Sequence, residues 1–245
     1  MSAPRLYNDL SWIWSFLSPP ESYAAEAASF LKRFRDAGVP DGGTLLHLGS
    51  GGGSLDAHLK KNYRVTGIEL SQNMIRWAHS INVEVEYVQG DMRSARLGRR
   101  FDAVLVHDAI AYMLTSADLK AAYATAAAHL KPGGVMISLP EEVRTFFKQH
   151  KVTHRTVERD GKSVTTVTVA YDADPKDETF ETTYVYLIRE NGRLTIETDT
   201  HTMGIRPLGS FLEAIREAGL EASVEAWDIP DVPEGFPLIT AVMRQ

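Results

Sequence analysis

Two periodicities divide the chain. Over residues 44–138, short apolar runs alternate with segments whose apolar residues recur at helical spacing. From about Lys151 to Thr202, apolar residues recur instead at every second position. The first pattern describes strands buried on both faces with helices between them, hence a mostly parallel sheet covered on both sides. The second describes antiparallel strands with one face exposed. Runs at 44–48, 64–70, 85–88, 101–106 and 135–138 predict the parallel strands. Ser18-Pro19-Pro20-Glu21 reads as a capping box, with Ser18 as N-cap and Glu21 reaching back, before a helix that runs to Ala37 and stops at Gly38. Ala24, Ala27, Ala28, Leu31 and Phe34 give that helix one buried face. Upstream, Tyr7, Trp12, Trp14 and Phe16 form an aromatic arm, with core packing expected for both tryptophans.

Ser71 is expected to cap a helix through Met74 and Trp77, and an Ala-rich helix around 121–128 to close at Leu130-Lys131-Pro132-Gly133-Gly134. In the alternating region, Asp160-Gly161 and Asn191-Gly192 separate runs as hairpin turns. A helix at 208–218 with its Gly219 stop, and a last apolar run at 237–243, return the chain to the main sheet. The expected organisation is an arm and capping helix at 1–43, an α/β core formed by 44–141 and 207–245, and an antiparallel insertion at 142–206 that precedes the last helix and strand.

Composition narrows the function classes. With 245 residues, 44% hydrophobic and 24% charged, the chain has the balance of a folded globular protein. A net charge of −6 with no Lys/Arg block argues against nucleic acid or an anionic membrane as partner and favours a small molecule. The absence of cysteine excludes disulfides, thiolate catalysis and Cys-ligated zinc. The run 12–17 is far below the roughly 20 residues of a membrane span. No basic leader is visible, and the cytoplasm is the expected location. The histidines show no metal-ligand spacing, so no metal is expected.

The candidate chemistry begins at Gly49-Ser50-Gly51-Gly52-Gly53, where a strand turns into a helix. Glycines permit positive φ and close approach to the main chain, and the following helix offers unpaired N–H groups. Glu69 lies 20 residues beyond Gly49, a spacing that puts an acid at the tip of the next strand, within reach of both ribose hydroxyls of a nucleotide-like ligand. Asp91, after the third strand, is placed to accept from an adenine amino group. A nicotinamide dehydrogenase would also use the glycine turn and Glu69, but it does not require Gly90-Asp91-Met92 or the Gly-Gly turn before the fifth strand.

The motifs in register over residues 44–139 resemble class I S-adenosylmethionine-dependent methyltransferases: 46–53 their glycine motif, Glu69 their ribose acid, Gly90-Asp91-Met92 their adenine motif and 130–134 their late turn. A narrower resemblance, carried by Tyr23-Ala24-Ala25-Glu26-Ala27-Ala28, Gln89-Gly90-Asp91-Met92-Arg93 and Arg96-Leu97-Gly98-Arg99, is to N-methyltransferases of nucleotide-linked amino sugars and, more loosely, to glycine N-methyltransferase. It implies a Rossmann-like doubly wound fold, S-adenosylmethionine as cofactor, a small amine as acceptor with oxygen as runner-up, an insertion that covers the active site, and tyrosines, here Tyr7 and Tyr23, closing over the methionine end. The implied cofactor set is Tyr7, Tyr23, His47, Gly49, Ser50, Gly51, Glu69, Leu70, Met74, Asp91, Met92 and His107. The resemblance permits a homodimer.

His47 departs from the family, which carries an acid at that position; a neutral imidazole accepts one hydrogen bond and supplies no fixed negative charge. A non-catalytic S-adenosylmethionine-binding protein therefore stays among the alternatives, and His47→Glu is expected to tighten cofactor binding. Near the reacting centre the candidates are His107 and Asp108 at the tip of the fourth strand, Tyr7, and His201, which stands with Arg206 at the end of the insertion. His107 suits a cofactor contact or acid–base work, Asp108 a substrate contact or a helix cap, and Tyr112 the pocket wall or the core.

Overall fold

The computed structural model describes residues 4–140, 142–230 and 232–244. Its main sheet contains β1 (Thr44–Leu48), β2 (Arg64–Glu69), β3 (Glu86–Gln89), β4 (Phe101–Val106) and β5 (Leu130–Ser138), all parallel. Side chains alternate across this sheet as the pleat requires. Leu45, Ala103, Leu105, Val135 and Ile137 face one core, and Leu46, Val104, Val106 and Met136 face the other. The first core is closed by α2 (Ala24–Asp36), which contributes Ala27, Phe30 and Phe34, and the second by α5 (Ser116–Ala128), which contributes Leu119, Ala122, Tyr123 and Ala126. Short helices α1 (Trp14–Leu17) and α3 (Asp56–Leu59), with α4 (Gln72–Ile81), complete this half.

The antiparallel region is a four-stranded sheet of β6 (Val152–Arg159), β7 (Lys162–Tyr171), β8 (Thr179–Glu190) and β9 (Arg193–Gly204). Its two tight turns hold Asp160, Gly161, Asn191 and Gly192 at positive φ, as a two-residue hairpin loop demands. After α6 (Leu208–Glu217), the chain adds β10 (Leu220–Ala226) and β11 (Pro237–Met243), giving the order β10-β11-β5-β4-β1-β2-β3 with β11 antiparallel to both neighbours. The order reverses between β1 and β4. Carboxyl ends diverge there, and the divergence opens a crevice for a ligand.

Several local expectations change. Ser18 caps nothing: Pro19 is extended, a 3-10 turn spans Pro20–Tyr23, and the Ser18 carbonyl accepts from Ser54 Oγ at 2.5 Å. Pro20, with no N–H to offer, starts a tight turn before α2 begins at Ala24. The Lys131-Pro132-Gly133-Gly134 turn lies inside β5, where the register against β4 shifts, so the strand starts at Leu130. β10 carries one buried residue, Leu220, and six exposed ones, a pattern with no apolar alternation to announce a strand.

The aromatic arm crosses the molecule. Leu6, Leu10, Ile13 and Phe16 pack on Val164, Tyr186 and Ile188 of the antiparallel sheet. Each such side chain contributes roughly 1.5–3 kcal/mol when buried, enough together to hold the arm down. Polar bonds tie the same arm to the start of α4, just beyond the tip of β2: the Tyr7 carbonyl accepts from Ser71 Oγ at 2.6 Å, and the Asn8 carbonyl from Asn73 Nδ2 at 2.8 Å. The arm thus spans the seam between the two sheets.

Candidate active site

At the carboxyl ends of β1, β2 and β4 lies a cavity of about 370 Å³. The glycine turn forms its floor. Gly49 has φ +72° and Gly51 φ +56°, and a Cβ at Gly49 would overlap that of Ala109. The Gly51 N–H donates to Glu69 Oε2 at 2.9 Å, and the Ser71 N–H to Glu69 Oε1 at 2.8 Å, so the acid at the tip of β2 is fixed on the cavity wall. Burial pushes the Glu69 carboxyl upward, opposed by these same N–H bonds. Asp91 sits on the wall with Arg93 donating to both its oxygens, Nη2 at 2.6 Å, and Arg93 Nη1 donates onward to Asp118 at 2.6 Å. The guanidinium bond holds Asp91 below the usual carboxylate range.

His47 is the last residue but one of β1 and is buried. Its Nδ1 donates to Asp56 Oδ1 at 2.7 Å, and Asp56, fully buried, also accepts from the Tyr87 hydroxyl at 3.0 Å. His47 Nε2 is buried without a protein partner, and so is the indole Nε1 of Trp14. Both residues line the cavity. Trp14 packs on the core of the arm as expected and has a second place as well: its indole lies so close over the glycine turn that a Cβ at Gly52 would overlap it.

His107 is the buried cation of the site. Its Nε2 lies 2.8 Å from Asp108 Oδ1 and 3.2 Å from Glu26 Oε2. Burial alone would lower the imidazole's proton affinity, but the carboxylates of Asp108 and Glu26 outweigh it and raise the value well above the ordinary one. The stabilisation from this triad is therefore complete below about pH 6.5, the unperturbed imidazole value, and is lost as pH rises through the raised one. His107→Gln should then be least stable relative to the parent protein at pH 6, with the gap narrowing by pH 10 in urea titrations; a constant gap would remove the charge pairing.

A second cavity of about 770 Å³ adjoins the first and shares Tyr7, Trp14, Tyr23, Asp108 and Tyr112 with it. The antiparallel sheet roofs it with Thr153, His154, Arg155, Thr166, Thr168 and Tyr184. Behind the shared wall runs a chain of hydrogen bonds: Tyr7 Oη to Tyr112 Oη at 2.8 Å, Tyr112 Oη to His201 Nδ1 at 2.7 Å, and His201 Nε2 to Asp199 Oδ2 at 2.9 Å.

The structure thus gathers Tyr7, Tyr23, His47, Gly49, Ser50, Gly51, Glu69, Leu70, Asp91, Met92, His107 and Asp108 around the first cavity. It does not bring Met74 there: that side chain is fully buried, and its N–H serves the Ser71 cap. His201 lies behind Tyr112, 1% exposed, and not on the cavity wall. Arg206 faces no ligand space either; it is fully buried, bonding the Met113 carbonyl at 2.7 Å and Glu178 at 3.1 Å. Glu26, Asp56, Asp199 and Arg155 were not legible as site residues, because each meets its partner only through the tertiary fold. Among the described residues no cluster suits a metal, and no helix is long and apolar enough to cross a membrane.

Comparison with known proteins adds to this geometry. A family model described as a methyltransferase domain matches residues 45–134. A dTDP-3-amino-3,4,6-trideoxy-alpha-D-glucopyranose N,N-dimethyltransferase of Streptomyces venezuelae is 36% identical over 62% of this chain, and the match spans 65% of that protein, just under two thirds. A dTDP-3-amino-3,6-dideoxy-alpha-D-glucopyranose N,N-dimethyltransferase of Streptomyces fradiae is 32% identical over 89% of this chain and 83% of its own. The S-adenosylmethionine-bound structure of CalS10, an amino pentose methyltransferase from Micromonospora echinaspora, superposes with a TM-score of 0.77 at 27% identity, covering 89% of each chain.

Proposed function

Since the chain belongs to the class I S-adenosylmethionine-dependent methyltransferases, we propose that it methylates nitrogen of a small molecule and that its acceptor is the amino group of a nucleotide-linked amino sugar. The observation that carries this reading is the pair of adjoining cavities meeting at Tyr7, Tyr112 and Asp108: one has the size and polar floor for the cofactor, the other is larger and roofed by hydroxyls and a guanidinium. The acceptors named for the two relatives are sugars joined to a nucleoside diphosphate. A sugar lodged at the junction would direct its diphosphate along β6 and β7, toward Arg155 and the threonines, where a cation and hydroxyl donors suit phosphate oxygens. The dehydrogenase alternative has no support from the relatives.

The first cavity fits the cofactor by its donor set. Glu69 offers carboxylate oxygens to the ribose hydroxyls, and Asp91 to the adenine amino group. Trp14 Nε1–H, buried and unpartnered, suits the carboxylate of the methionine end. His47, with Nδ1–H committed to Asp56, presents Nε2 as an acceptor for the α-ammonium group. When bound, S-adenosylmethionine supplies an electrophilic methyl on a sulfonium. The protein's task is orientation, and well-aligned reactants can remove roughly 7–11 kcal/mol of barrier. Asp108, on the wall common to both cavities, is placed to hold the acceptor's ammonium and draw its proton before attack. The cysteine-free composition suits a cytoplasmic setting for this reaction.

The assignment is tested by incubating the protein with S-adenosylmethionine and dTDP-3-amino-3,6-dideoxy-alpha-D-glucopyranose and following methylated product by mass spectrometry. Turnover supports it; cofactor binding without turnover of this or related dTDP-amino sugars overturns the acceptor. Arg155→Ala is expected to raise the KM for the nucleotide sugar about tenfold, as losing one charged hydrogen bond implies, and to leave S-adenosylmethionine affinity unchanged in calorimetry. An equal loss for both ligands would move Arg155 out of the acceptor site.

A further inference from the structure

The four-residue chain behind the shared wall has a direction, and the direction can be read from its far end. Asp199 is buried and accepts three hydrogen bonds: from the Leu6 N–H at 2.8 Å and from His201 Nε2 at 2.9 Å on Oδ2, and from the Thr200 N–H at 3.0 Å on Oδ1. A carboxylate only accepts, so His201 must carry its proton on Nε2. Burial lowers the proton affinity of His201 below that of a free imidazole, against the opposing pull of Asp199, and the ring is neutral at neutral pH. Nδ1 is then a bare lone pair, and the Tyr112 hydroxyl must donate to it across 2.7 Å. Having spent its one proton, the Tyr112 oxygen accepts from Tyr7 across 2.8 Å.

We propose that Asp199 and His201 fix the polarity of this chain so that the Tyr7 oxygen meets the acceptor nitrogen as a hydrogen-bond acceptor and never as a donor. The chemistry gives the polarity its value. A nucleophilic amine has one lone pair, which must point at the methyl group, and N–H bonds that must point elsewhere. A donor at the Tyr7 position would capture the lone pair; an acceptor there binds an N–H and leaves the lone pair free. Tyr7 lines both cavities, so its phenol belongs to the wall where the two meet. In these terms Tyr7 touches the substrate, while Asp199, His201 and Tyr112 are positioning residues. Asp199 also fixes the arm at Leu6, the residue before Tyr7, so one carboxylate sets both the place and the polarity of the phenol. This inference rests on an amine acceptor bound at the junction of the two cavities.

Asp199→Asn tests it with little change of shape. With its oxygen kept on the Thr200 N–H, the amide places its NH₂ where Oδ2 stood, where it gives up the Leu6 bond, donates to His201 Nε2 and moves the ring proton to Nδ1. Every bond in the chain then reverses, and Tyr7 donates into the cavity. Nitrogen NMR of the His201 imidazole, which needs neither substrate nor turnover, should show Nε2 protonated in the parent protein and Nδ1 protonated in the variant. Protonation of Nδ1 in the parent protein overturns the proposal.

The kinetic arm uses dTDP-3-amino-3,6-dideoxy-alpha-D-glucopyranose. Asp199→Asn should lower kcat at least tenfold with S-adenosylmethionine affinity unchanged, Tyr7→Phe should lower it less, and the double variant should recover to the Tyr7→Phe level because no donor remains. Additive losses in the double variant would assign Asp199 a purely structural role and overturn the polarity argument. If the parent protein turns over no amino sugar, the acceptor reading fails by that result, whereas the tautomer of His201 still decides the direction of the chain.

Discussion

Glu69→Ala is expected to weaken S-adenosylmethionine binding by a hundredfold or more. The carboxylate would receive two ribose hydroxyls, and a hydrogen bond to a charged group contributes roughly 1.5–3 kcal/mol, so about 3 kcal/mol is the lower bound of the loss. The glycine turn suffers as well. Glu69 is the partner of the Gly51 and Ser71 N–H groups, which would be left without it on the cavity wall. Calorimetric titration with S-adenosylmethionine and S-adenosylhomocysteine reads the effect directly. Affinity retained within threefold would take Glu69 out of the cofactor site.

The largest effect on stability is expected at Asp56. Its carboxylate is fully buried and is the shared acceptor of His47 and Tyr87, and the Tyr87 oxygen is tied in turn to Asn82, which also bonds the Gly53 carbonyl at 2.8 Å. Asp56→Ala would strand a buried imidazole N–H and a phenol, and breaking a buried pair from one side costs about 3–5 kcal/mol. That is a large part of a domain's stability. The urea midpoint should fall accordingly, and a loss below about 1 kcal/mol would show that the network relaxes around the gap. The same geometry reverses the expectation for His47→Glu. A glutamate there would set a second carboxylate against Asp56 with no cation between them, so the substitution should destabilise the fold before it can improve ligand binding.

The parallel half of the fold was legible because its signals are local. The pleat of β4 and the stop at Gly38 follow from spacing and backbone chemistry alone, and Glu69 could be placed because βαβ geometry ties sequence distance to spatial neighbourhood. The remaining site residues obey no such rule. Glu26 reaches His107 from a helix on the far side of the strand tip, and Asp199 reaches His201 and Leu6 through a sheet whose placement over the core no period-two pattern encodes. Trp14 packs on the core of the arm as an indole in an apolar run usually does; only the folded glycine turn beneath it shows that the same side chain also lines the cavity, with its N–H buried over Gly52. Ser18 failed as a cap for a steric reason, since the two prolines after it favour an extended residue and a 3-10 turn over an immediate α-helix.

The arm also dictates when the site can come into being. Arg5 and Leu6 find their partners at Glu197 and Asp199, the Leu6 bond closing a separation of 193 residues. Contacts of such range are slow to form, because the loop they close must be ordered before they contribute anything. A ribosome carrying this chain has long since released residues 5–7 into solution when it reaches β9, and the arm waits unpaired in the meantime. Docking of the arm is therefore a late event in folding, and the wall that separates the two cavities is among the last surfaces to be built.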